Sequence, residues 1–163
     1  MNLFLIFLTF SLLFSNYNPE IIAVSKTFKE NDIMPLLKFG HQDFGENKVQ
    51  ESTMKWPELK NQFPEVKLHM LGKLQSNKVK QAIEIFDYIH SLDNLKLADK
   101  LANEIYKKNK KTKLFIQINL DNEAQKSGIN QFELEKLYKN CIDLKLNIIG
   151  TMCIPPEDKQ PEH

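Results

Sequence analysis

The segment IIAVSKTF, residues 21–28, runs from an apolar stretch into Ser25 and Lys26. A lysine at the end of a buried strand is partly desolvated, and desolvation disfavours the ammonium form. A neutral amine is a nucleophile that condenses with an aldehyde to a Schiff base. The competing reading is a lysine whose stem covers the strand end while its head reaches water. Other polar residues end apolar runs in the same way: Glu46-Asn47, His69, His90-Ser91, Asn119 with Asp121 beyond it, and Met152. If those runs are parallel strands, these groups share the C-terminal edge of the sheet, where α/β folds carry their sites.

The elements needed to place them alternate regularly. Strands are expected at 20–26, 43–47, 66–72, 88–92, 113–120 and 146–154. Helices are expected at 29–40, 48–63, 75–86, 94–108 and 129–144. The first is capped by Asn31 or Asp32 with Pro35 in its first turn, the second breaks at Pro57, and the last is opened by Asn130. Repeated βα units force parallel strands with helical crossovers, leaving a doubly wound sheet or a TIM barrel. No Gly-x-Gly-x-x-Gly follows the first strand, which counts against a dinucleotide fold.

Composition narrows the chemistry. The chain has 163 residues, a net charge of +1, and 22 basic residues that are all lysine. Nothing in that balance marks nucleic acid or an anionic membrane as a partner. Without arginine, an anion site must rely on lysine, hydroxyls or backbone N–H groups. Gln75, Ser76 and Asn77 could supply such a helix N-terminus, or serve as a plain cap. His41, His69, His90 and His163 have no metal-ligand spacing. Cys141 and Cys153 form no CxxC and read as two buried thiols in a reducing compartment. Residues 1–19 form a separate apolar segment, either an outer helix or a signal-like stretch, though no basic residue precedes it and no A-x-A site follows.

IIAVSKTF, FGENKVQE, HMLGKLQSNK, FIQINLDNEAQKSGI and GTMCIPP occur in this order with short spacers. That series resembles the YggS/PROSC family of pyridoxal 5′-phosphate (PLP) homeostasis proteins, over about residues 20–156. The resemblance implies an α/β TIM (β/α)8 barrel of the alanine racemase N-terminal type. About six of its eight strands would lie in 20–163, with the chain stopping before strands seven and eight, so that two edges and an apolar interior are exposed. It implies PLP held as a Schiff base on Lys26, with Asn47 beside the cofactor and Met152 near its ring. It further implies a cytoplasmic, monomeric carrier that serves PLP homeostasis and hands PLP to apo-enzymes, with no stable membrane association and no established catalysis. Two alternatives remain at this stage: a racemase-like enzyme needing a second acid/base, for which His69 and Cys153 are the candidates, and an incomplete, non-functional barrel.

Overall fold

The computed structural model describes residues 19–120 and 127–154. The apolar segment before residue 19, the DNEAQK stretch with Asp121 and Lys126, and the C-terminal residues with His163 lie outside the described residues.

The strands are β1 (Ala23–Val24), β2 (Asp43–Glu46), β3 (Lys67–Met70), β4 (Tyr88–Leu92), β5 (Lys113–Asn119), β6 (Ile129–Asn130) and β7 (Ile148–Cys153). The helices are α1 (Glu30–Lys38), α2 (Val49–Gln62), α3 (Val79–Ile85), α4 (Leu95–Lys107) and α5 (Leu134–Asp143). All pairings are parallel. The spatial order is β1-β2-β3-β4-β5, with β6 and β7 both on β5. This order never reverses, whereas a doubly wound sheet reverses at its switch point. Helices α2 to α5 pack each on the next, as they do around the outside of a barrel.

Two faces of the sheet divide the labour. Phe44, Leu68, Ile89 and Leu114 are fully buried, and Phe44 meets Trp56 of α2 with ring centroids 5.1 Å apart, so this face carries the helix-side core. The opposite face is the barrel interior, and it is not apolar as expected. His69 Nε2 lies 3.0 Å from Asp43 Oδ1 and His69 Nδ1 lies 2.9 Å from His90 Nε2. The His69 ring stacks on Tyr88, and the His90 ring on Phe115, each at 4.2 Å. Burial holds both imidazoles below their ordinary pKa, His90 down to about 4. The neutral rings then form one chain, His90 Nε2–H to His69 Nδ1 and His69 Nε2–H to the Asp43 carboxylate. An interior that must bury polar strand residues satisfies them against one another.

Four local expectations change. The cap of α1 is Lys29, and Asp32 reaches back as the third residue to accept from the Lys29 N–H at 2.9 Å; Pro35 therefore falls in the second turn. Helix α2 runs through Pro57. Pro57 is exposed while Trp56 and Leu59 are buried on the core face, so the missing N–H falls on the solvent side and packing keeps the helix whole. Residues 129–130 are a short strand before a 3-10 turn and α5; Asn130 is extended and its side chain accepts from the Phe132 N–H at 2.9 Å. Cys141 is buried, but Cys153 is exposed, because it falls on the exposed phase of the alternation along β7.

Candidate functional site

The turn after β1 carries Lys26. Phe28 N–H donates to Ser25 O at 3.2 Å, and Thr27 takes φ 69°, a left-handed conformation that a β-branched residue rarely adopts. Lys26 is exposed at this turn. The burial expected from sequence is not met, because the strand stops at Val24 and Lys26 falls in the exposed turn beyond it.

Asn47 follows β2 and is brought close to the loop after β3. A Cβ at Gly72 would lie 2.3 Å from Asn47 O and 2.8 Å from Asn47 Cα. Only glycine permits this approach of the two backbones. On the far side of the sheet, Gln117 of β5 pairs with Met152 of β7. Gly128, at φ 122°, sits where a Cβ would meet Asn119 N at 2.7 Å, and so lets the returning chain close over the end of β5.

These segments enclose a cavity of about 460 Å³. Lys26, Asn47 and Met152, separate in sequence, all line it. It lies at the C-terminal ends of the strands, where a barrel of this type carries its site. His69 and Cys153 are not in its wall: His69 is committed to the Asp43–His90 chain, and Cys153 faces outward from β7. His90, expected at a strand end, is mid-strand because β4 continues to Leu92. Gln75, Ser76 and Asn77 do not reach the cavity either; Gly72 and Lys73 do.

Gln117 is the wall residue that sequence reading passed over. Its Nε2 donates to Ser127 O at 3.1 Å, while its Oε1 is buried without a hydrogen-bond partner. The residue is 5% exposed. A buried acceptor left open costs about 1–3 kcal/mol, and this one belongs to a residue of the cavity wall. A glutamine alternating with isoleucines in FIQIN was the available signal. Among the described residues no cluster of three His, Cys, Asp or Glu could hold a metal ion, and no helix is long and apolar enough to cross a membrane.

Comparison with known proteins agrees with this geometry. The family described as alanine racemase, N-terminal domain, matches residues 11–163. The chain is 33% identical over 144 residues to the pyridoxal phosphate homeostasis protein of Aquifex aeolicus, covering 88% of this chain and 62% of that one. The protein of the same name from Escherichia coli is 34% identical over 146 residues, covering 86% and 61%. The chain thus spans about three fifths of the length of these relatives. PipY of Synechococcus elongatus, solved with PLP bound, superposes with a TM-score of 0.81 at 34% identity, over 92% of this chain and 70% of that one. An alanine racemase of Clostridium difficile shares the fold at a TM-score of 0.72 and 17% identity, over 97% of this chain and 41% of that one. Strand order, helix placement, the motif series and these likenesses agree: the chain belongs to the alanine racemase N-terminal-domain family, in its YggS/PROSC branch, and has that family's α/β barrel fold.

Proposed function

We propose that this chain binds PLP in the cavity at the strand ends, with Lys26 as the residue that takes the aldehyde as a Schiff base, in a cytoplasmic protein serving PLP homeostasis. The observation that carries this reading is the convergence of Lys26, Asn47 and Met152 on one cavity. Its volume falls within the usual range for small-molecule sites, roughly 300–1,000 Å³. Gln117 Oε1 offers an unused acceptor to a ligand hydroxyl or N–H, and Gly72 keeps the Asn47 backbone close. When bound, PLP supplies an aldehyde that condenses reversibly with amines. Lys26 presents that amine from the turn after β1, Asn47 and Met152 bound the ring space, and Lys73 stands at the rim as a cation for an anionic group.

Holding and release fit the site better than turnover. A racemase needs a second acid/base facing the ligand, and neither His69 nor Cys153 lines the cavity. An exposed Lys26 is also accessible to an incoming amine, as delivery of PLP to an apo-enzyme requires. PLP titration followed by absorbance tests the reading. A saturable Schiff-base band is expected with the wild type and is lost in Lys26→Ala. The same band in Lys26→Ala sinks the assignment.

A further inference from the structure

The turn that carries Lys26 is held from below by a buried ion pair. Lys55 of α2 reaches under β1 and donates from Nζ to Ser25 O at 2.9 Å and to Phe28 O at 3.1 Å. Those are the two carbonyls that bracket Lys26 and Thr27. The same ammonium lies 2.5 Å from Glu46 Oε1; the two side chains are 12% and 0% exposed. Glu46 Oε1 also accepts from Ser25 Oγ at 2.7 Å and from Trp56 Nε1 at 3.0 Å. Ser25, Glu46, Lys55 and Trp56 thus tie β1, β2 and α2 together directly beneath Lys26.

Burying two charges is costly unless geometry and further hydrogen bonds compensate, and an apolar pair often does as well for stability alone. What an apolar pair cannot do is grip two carbonyls and hold a threonine at φ 69°. The geometry points to Lys55 and Glu46 as positioning residues: they fix the turn so that the Lys26 amine stays at the mouth of the cavity. Lys55 supplies the grip, and Glu46 keeps the Lys55 ammonium seated by matching its charge. This deepens the proposed function and rests on Lys26 being the amine that takes PLP.

The test uses Lys55→Met, Glu46→Gln and Lys55→Arg, with two readouts. The first is hydrogen exchange in protein without PLP at the Ser25 and Phe28 amides, which donate to Gly45 O and Ser25 O. The second is the rate at which PLP is captured on Lys26, fixed with borohydride and located by peptide mass. Lys55→Met is expected to speed exchange at these amides at least tenfold and to slow capture on Lys26 about tenfold, with exchange in β4 and β5 unchanged. Lys55→Arg, which still donates, is expected to recover part of both. Glu46→Gln keeps the shape and can still accept from Ser25 and Trp56, so it folds even where Lys55→Met does not. It is expected to change both readouts in the same direction by about threefold. Unchanged exchange and unchanged capture in either folded variant overturn the inference. If wild-type protein shows no capture on Lys26, the PLP reading fails, and exchange at Ser25 and Phe28 still decides whether the pair holds the turn.

Discussion

Gly72→Ala probes the site through its tightest contact. The new Cβ would meet Asn47 O at 2.3 Å and Asn47 Cα at 2.8 Å, both backbone atoms. Restoring an ordinary contact near 3.4 Å requires the two segments to part by about 1 Å, since no flexible side chain can yield instead. Overpacking of this kind costs about 1–3 kcal/mol. The same ångström shifts Asn47 within the cavity wall it shares with Lys26, and a displacement of that size is enough to spoil a positioned site. Gly40→Ala is the control. It has nothing within 4 Å but sits at φ 93°, so it is destabilised by about 1–2 kcal/mol through backbone strain alone, and it is not in the cavity wall. Urea unfolding and PLP titration of both variants separate the effects. Both lose stability, and only Gly72→Ala loses PLP affinity, by about tenfold. Wild-type affinity in a folded Gly72→Ala protein refutes the link between this contact and the site.

Other outcomes follow from the same structure. Stability should fall between pH 6.5 and about 4: His90, His69 and His41 are all held neutral by burial, so the unfolded chain binds more protons across that window and stability is lost as pH drops through it. For His90 the difference between 6.5 and about 4 sets a ceiling of about 3 kcal/mol, and partial access of solvent reduces this to about 1–2 kcal/mol. Urea midpoints at pH 7 and pH 5 measure it, and His90→Phe should flatten the dependence. Gln117→Leu should be near neutral for stability, since removing the orphaned Oε1 offsets the lost bond to Ser127 at about 1 kcal/mol each, yet PLP titration should show weaker binding by about tenfold. A thiol reagent should react with Cys153 in the native protein, and with Cys141 only on unfolding, because burial raises the Cys141 pKa to about 11.

Much of the fold was legible because apolar periodicity changes cleanly between strand and helix. The five helices and six of the seven strands stand close to where the pattern put them. What escaped depends on contacts between distant residues. Ile129 pairs with Ile118 across the DNEAQK stretch, and no local period announces a two-residue strand. Pro57 reads locally as a breaker, but burial of Trp56 and Leu59 overrides it. The three residues named for the site do meet in one cavity. Of the pair beneath the Lys26 turn, Lys55 was silent in the sequence as an ordinary helix-face lysine and Glu46 was visible only as a strand-end carboxylate; nothing local shows that packing buries them together. Gln117 was only half legible: its alternation with isoleucines in FIQIN marks it, but nothing there says which side of the strand meets a cavity.

The central claim is that one lysine among 22 is placed to capture PLP. Borohydride trapping of the protein with one equivalent of PLP, followed by peptide mapping of every lysine, tests it most directly. Most of the label is expected on Lys26, near one per chain, and Lys26→Ala should leave only scattered traces. Label spread evenly over exposed lysines, with Lys26 no richer than Lys73 or Lys48, contradicts it.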